Sequence, residues 1–146
     1  MYRHILIPTD GSDLAERAVA HGLALAKSVG AKVTIIIADE QIGSWLLFAE
    51  AGTAEQFANY TEEIKKHAAK VLDRGANAAK QAGVPCDTVH VQDVQPYAGI
   101  IATATDRGCD LIVMASHGRS GLSAMVLGSV TNKVLTHAKT PVLVCQ

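Results

Sequence analysis

The sequence predicts an α/β fold: an open, five-stranded, mainly parallel sheet with helices on both faces. Strand-like and helix-like segments alternate along all 146 residues. The run Val33-Thr34-Ile35-Ile36-Ile37 is β-branched and almost wholly apolar, the pattern of a strand covered on both faces of a parallel sheet. No change of composition, internal repeat or low-complexity segment divides the chain, which reads as one domain over residues 1–146.

Each element has a local reason. Arg3 to Pro8 is a short apolar run, ended by Pro8-Thr9-Asp10-Gly11. Ser12 can cap the following helix, with Asp13 and Glu16 near the positive end of its dipole. Ala15, Val19, Leu23 and Ala26 recur at helical spacing, and Gly30 stops the segment. Lys32 to Ala38 is the second strand, and Asp39 to Ala54 is irregular. A helical pattern returns from about Glu55 to Ala82, with Ile64, Ala68, Val71 and Leu72 on its apolar face. Gly83-Val84-Pro85 introduces the third strand, Cys86 to Val91. Pro96 to Arg107 reads as a helix ended by Gly108, and Cys109 to Ala115 as the fourth strand. The last helix runs from about Gly128 to His137, and Pro141 to Cys145 closes the sheet.

Composition excludes several classes of protein. Hydrophobic residues make up 49% and charged residues 18%, which suits a packed globule and not a disordered chain. The formal net charge of −1 provides no global field toward nucleic acid or an anionic membrane, so neither is expected as a partner. No apolar run approaches the roughly 20 residues of a membrane-spanning helix. Met1 to Pro8 is a strand pattern without the apolar region of a signal peptide, so a cytoplasmic location is expected. Cys86, Cys109 and Cys145 lie far apart with no Cys-x-x-Cys pair, which opposes a disulfide framework or thiolate metal site. Each is read as a small buried side chain. His4, His21, His67, His90, His117 and His137 include no close pair with metal-ligand spacing.

The richest stretch is Met114-Ala115-Ser116-His117-Gly118-Arg119-Ser120-Gly121, followed by Leu127-Gly128-Ser129-Val130-Thr131-Asn132. Glycines allow a tight turn and close approach of backbone amides to a ligand. A helix starting beyond them offers unpaired N–H groups and the positive end of its dipole, which together favour phosphate. An ordinary strand-to-helix loop has the same glycines, and local spacing leaves both readings open. In sheets of this kind ligands bind beyond the carboxyl ends of the strands, where the strand order reverses. If the first and fourth strands are neighbours, Asp10 and the glycine-rich loop share one crevice. Asp10 then binds a ribose hydroxyl or a cation; otherwise it is a turn or capping residue.

Four motifs at distant positions resemble the universal stress protein family: Pro8-Thr9-Asp10-Gly11-Ser12, Ser116-His117-Gly118, Gly128-Ser129-Val130 and His137-Ala138-Lys139-Thr140-Pro141-Val142-Leu143-Val144. The resemblance covers essentially the whole chain in order and spacing. It implies a Rossmann-like fold of the adenine nucleotide alpha hydrolase-like kind. Nucleotide-binding members carry Gly-x-x-Gly, nine further residues, then Gly-Ser or Gly-Thr. Here Gly118 and Gly128 are separated by nine residues and Ser129 follows, but Ala115 stands at the first glycine position. Its methyl is harmless at negative φ and damaging at positive φ or at closest approach to a ligand.

The resemblance implies ATP, or ADP, AMP or cyclic AMP, as ligand. Asp10 would contact the ribose side, with Pro8 and Thr9 shaping the wall. Ile37 or Ala38 would meet adenine. Met114, Ala115, Ser116, His117 and Gly121 would belong to the binding loop, and Gly118, Arg119 and Gly128 would lie around ribose and phosphates. Ser129, with the Val130 amide and Thr131 beside it, would hold the terminal phosphates, although a hydroxyl there is equally a good cap. His117 and Arg119 also have plain readings, as a structural and a solvated side chain. If magnesium accompanies the nucleotide, Asp10 and Ser129 are the residues to contribute.

Other signatures are missing. There is no Gly-x-x-x-x-Gly-Lys-Ser/Thr, no Gly-x-Gly-x-x-Gly at the first turn and no Gly-x-Ser-x-Gly. No general base is marked, so no catalytic residue is named and any ATP hydrolysis or self-phosphorylation is expected to be slow. Ile42, Trp45, Leu46, Leu47 and Phe48 form an apolar cluster, read either as a flap over the core or as a partner contact. Pro141-Val142-Leu143-Val144-Cys145 carries no charge to discourage edge pairing, and members of the family it resembles dimerise through the last strand. The expectation is thus an ATP-binding homodimeric sensor or regulator in the stress response, with an unidentified protein partner. A nucleotide-free interaction module and a slow ATPase or autophosphorylating protein are the competing readings.

Overall fold

The computed structural model describes residues 1–40, 52–92, 94–119 and 126–146. Among these, strands and helices alternate: β1 (His4–Pro8), α1 (Asp13–Val29), β2 (Lys32–Ala38), α2 (Ala54–Ala82), β3 (Cys86–Val91), α3 (Pro96–Asp106), β4 (Leu111–Ala115), α4 (Ser129–His137) and β5 (Val142–Cys145). The sheet has five strands in the order β3-β2-β1-β4-β5, and every pairing is parallel. From β1 the chain steps outward to β2 and β3, then returns to the other side of β1 for β4 and β5. The strand order therefore reverses between β1 and β4.

Side-chain alternation along each strand divides the core into two layers. Ile5, Ile7, Val33, Ile35, Ile37, Leu111 and Val113 pack with Val19, Leu23 and Ala26 of α1 and Ala68, Val71 and Leu72 of α2. Leu6, Ile36, Ile112 and Met114 pack on the other face with Ile100 and Ala104 of α3 and Val134 of α4. The inner strands are thus apolar on both faces, which is why β2 shows no alternation in sequence.

The helix ends follow their sequence signals. Ser12 Oγ accepts from the Ala15 N–H at 3.3 Å, and Gly30 ends α1 with a left-handed φ of 70°. Thr53 and Gln56 form a reciprocal capping box at the start of α2. The fourth strand begins at Leu111, later than the sequence suggests. The Cys109 N–H instead closes the end of α3 on the Ala104 carbonyl. Cys109 is buried and its thiol is pushed up to about 11 by that burial. Cys86 and Cys145 are half-buried, with thiols raised for the same reason. The apolar cluster from Ile42 to Phe48 lies outside the described residues. No helix among the described residues is long and apolar enough to cross a membrane.

Candidate functional site

At the carboxyl ends of β1 and β4, the two βα connections meet in a crevice of about 260 Å³. The ladder runs past the end of β1, where the Thr9 N–H donates to the Ile36 carbonyl at 2.9 Å. Asp10 then ties the two connections together. Its Oδ1 accepts from the Ser12 N–H at 3.0 Å, an Asx turn, and its Oδ2 accepts from the Arg119 N–H at 2.9 Å. Gly118 makes this approach possible: a Cβ there would stand 2.5 Å from Asp10 Oδ2.

A second set of bonds fastens α4 over the end of β4. The Gly128 N–H donates to the Ser116 carbonyl at 2.7 Å, and the Thr131 hydroxyl donates to the Ala115 carbonyl at 2.8 Å. A Cβ on Gly128 would lie only 3.2 Å from that Ser116 carbonyl. The Ser116 N–H donates to the Cys145 carbonyl at 2.8 Å, joining the loop to β5. Ser116 Oγ and His117 Nδ1 share a hydrogen bond of 2.8 Å, while His117 Nε2 is buried without a partner among the described residues.

Gly128 is the N-cap of α4 and has no side chain, so no side-chain cap bond closes that helix start. The first-turn N–H groups of α4 are consequently available to a ligand, at the positive end of the helix dipole. Ser129, Val130 and Thr131 all line the crevice at this point. The opposite wall is apolar, with Ile36 and Ala38 from β2, Met114 from β4, and Pro96 and Ile100 from α3. The cavity therefore joins an apolar slot to a helix start with no side-chain cap, with a carboxylate between the two connections.

Most residues that the sequence singled out are brought together here. Pro8, Thr9, Asp10, Ala38, Met114, Ala115, His117, Gly118, Arg119, Gly128, Ser129, Val130 and Thr131 line the crevice. Ser116 does not line it; it is 3% exposed and braces the loop from behind. Ile37 does not line it either, because strand alternation turns its side chain into the layer under α1 and α2, leaving Ile36 and Ala38 on the crevice side. Gly121 lies outside the described residues. Ala115 is the last residue of β4, in extended backbone, and its methyl packs against Ala15 and Ala18 of α1. Ala15, Ile36, Pro96 and Ile100 line the crevice without having been expected. The β2 strand and the Pro96 helix start were visible in sequence, but which faces look into the crevice depends on strand order.

The sequence profile of the Universal stress protein family matches residues 1–146. Universal stress protein YxiE of Bacillus subtilis is 31% identical over 147 residues, covering 99% of this chain and 99% of that protein. Universal stress protein MJ0577 of Methanocaldococcus jannaschii is 32% identical over 157 residues, covering 99% of this chain and 94% of that protein. The solved structure of MJ0577 is similar with a TM-score of 0.84 at 28% identity, covering 99% of this chain and 96% of that one. A universal stress protein crystallised in complex with cAMP is similar with a TM-score of 0.69 at 26% identity, covering 99% of this chain and 97% of that one.

Proposed function

Because the chain belongs to the universal stress protein family, we propose that its crevice binds an adenine nucleotide: ATP, or one of ADP, AMP and cyclic AMP. In this reading the protein is a cytoplasmic, homodimeric nucleotide sensor or regulator in the stress response. The observation that carries it is the uncapped start of α4, opening on the crevice beside the two closely approaching glycines. The similar protein in complex with cAMP supports the same ligand class.

The residues present fit such a ligand by their chemistry. Ser129, through its hydroxyl, and the first-turn amides of Ser129, Val130 and Thr131 hold phosphate oxygens. Asp10 orients the ribose: each carboxylate oxygen already accepts one N–H and keeps acceptor capacity for a hydroxyl. Ile36, Ala38, Met114 and Ile100 take the base against an apolar wall. Magnesium would enter with the phosphates, and Asp10 and Ser129 supply the hard oxygen donors it prefers.

For the dimer, β5 stands last in the sheet and pairs only with β4 among the described strands, and Leu143 is exposed. Antiparallel pairing of β5 with its copy about a two-fold axis would satisfy both edges.

Calorimetric titration with ATP, ADP, AMP and cyclic AMP tests the ligand, and sedimentation tests the dimer. Saturable binding of at least one nucleotide by a dimer is expected. No heat at millimolar nucleotide refutes the ligand assignment, and a monomer at tens of micromolar protein refutes the dimer.

A further inference from the structure

On the nucleotide reading, a residue of α2 outside the crevice bears on the site through Arg119. Arg119 is held at three points. Its backbone N–H donates to Asp10 Oδ2 at 2.9 Å, its Nε–H donates to the Asp10 carbonyl at 3.2 Å, and its guanidinium donates to His67 Nε2. A guanidinium is always charged and has no acceptor, so in this contact it donates and His67 Nε2 accepts.

His67 belongs to a stripe of α2 that clamps both connections of the site. One turn further along, Val71 packs so closely under Gly11 that a Cβ there would stand 2.7 Å from Val71 Cγ2. Two turns along, Arg74 pairs with Glu16 of α1 at 3.2 Å. His67, Val71 and Arg74 are spaced i, i+4, i+7, so a single helix face reaches the β4–α4 connection, the β1–α1 turn and the first turn of α1.

We infer that His67 is a positioning residue for the nucleotide site: it holds the Arg119 guanidinium at the rim of the crevice so that its charge acts on the phosphates. His67 is not among the crevice-lining residues and acts only through Arg119. Both side chains are exposed. A free arginine at that position would sample many rotamers and lose that freedom on binding. Anchoring it beforehand removes that cost and favours ligands in proportion to their phosphate charge.

The test is calorimetric titration of ATP and, separately, adenosine into wild type, His67→Ala, His67→Gln, Arg119→Ala and the His67→Ala/Arg119→Ala double variant. His67→Ala is expected to weaken ATP binding about five- to tenfold, on the order of the cost of immobilising one long side chain on binding. Adenosine binding stays within about twofold, because it carries no phosphate for the guanidinium. His67→Gln recovers ATP affinity, since its amide oxygen also accepts from the guanidinium. The double variant binds ATP no more weakly than Arg119→Ala, as residues acting through one contact are not additive. Equal loss of adenosine, additive losses, or tighter ATP binding by His67→Ala overturns the inference. In the free protein, the Arg119 Nη–H resonance should exchange with water more slowly in wild type than in His67→Ala, and equal rates also overturn it. If wild type binds neither ligand while keeping this protected resonance, the nucleotide reading itself fails and the positioning role falls with it. If wild type binds ATP and the variants match it, only the positioning role fails.

Discussion

A methyl group at residue 11 would meet two obstacles: a left-handed φ of +78° and Val71 Cγ2 at 2.7 Å. Either alone is costly for a non-glycine residue, and Val71 sits in the packed layer under α2 with little room to move. Gly11→Ala is therefore expected to lower the stability to urea by about 1–3 kcal/mol. It should also weaken nucleotide binding, because the Asx turn that sets Asp10 spans this residue. An unchanged denaturation midpoint would show that the turn relaxes freely. Gly118 is needed for a different reason. It is not among the positive-φ glycines, and what it supplies is space for the Asp10 carboxylate. The glycine-rich stretch was plain in the sequence, but the partner that demands Gly118 sits on the opposite connection. At Ala115, where the family motif has glycine, the backbone is that of an extended strand and needs no positive φ, and the methyl clusters with Ala15 and Ala18.

The helix starts differ in how they are capped. Ser12 and Thr53 cap α1 and α2 with their own oxygens, so their hydroxyls are spent on the helices. Ser129 differs, because the cap position of α4 belongs to Gly128 and Ser129 is the first helical residue. From sequence a serine at a helix start reads equally as cap or as anion ligand, and a one-residue difference in boundary takes Ser129 out of the cap position. Ser129→Ala should consequently leave stability within about 0.5 kcal/mol, as for a surface substitution. The same change should reduce affinity for ATP more than for adenosine. A loss of stability near the ~1 kcal/mol of a missing cap would return the hydroxyl to a structural role. Strand β2 shows where such reading stops. Its residues are apolar on both faces, so no alternation marks Ile36 rather than Ile37 as the wall of the crevice. That choice is made by the helices laid on each face, as are the contributions of Pro96 and Ile100.

Across the whole molecule, the order β3-β2-β1-β4-β5 turns scattered motifs into one site, since Asp10 and Gly118 meet only because β1 and β4 are neighbours. The alternation of elements was legible in the sequence, but adjacency of β1 and β4 was only a condition there, because parallel crossovers permit several strand orders. At the opposite end of the same strands, the fold is sensitive to acid. His4 of β1 is 5% exposed, and its neutral ring joins β1 to β2 and to the end of α3. Its Nδ1–H donates to the Arg107 carbonyl at 3.1 Å, and its Nε2 accepts from the Thr34 hydroxyl at 2.8 Å. Burial, with Lys32 nearby, holds the ring below its ordinary pKa of 6.5. The unfolded chain takes up a proton near pH 6.5 that the folded chain resists. The folded state is thus favoured above that pH and loses this advantage as pH falls through the depressed value. Asp110 adds a second window. Its burial acts to raise its pKa, but the Arg3 and His4 N–H groups bonded to its carboxylate prevail and hold it below the ordinary 3.8. Its contribution is therefore present at neutral pH and is lost only as pH falls below about 3.8. Stability measured by urea denaturation should decline from pH 7 toward pH 5 with a limiting slope of about 1.4 kcal/mol per pH unit for one proton. The His4→Gln variant keeps a donor and an acceptor at the ring position but cannot titrate, so its slope over that range should be shallower. Equal slopes in the two proteins would mean that this histidine does not set the acid response, and the decline would have to be sought elsewhere in the fold.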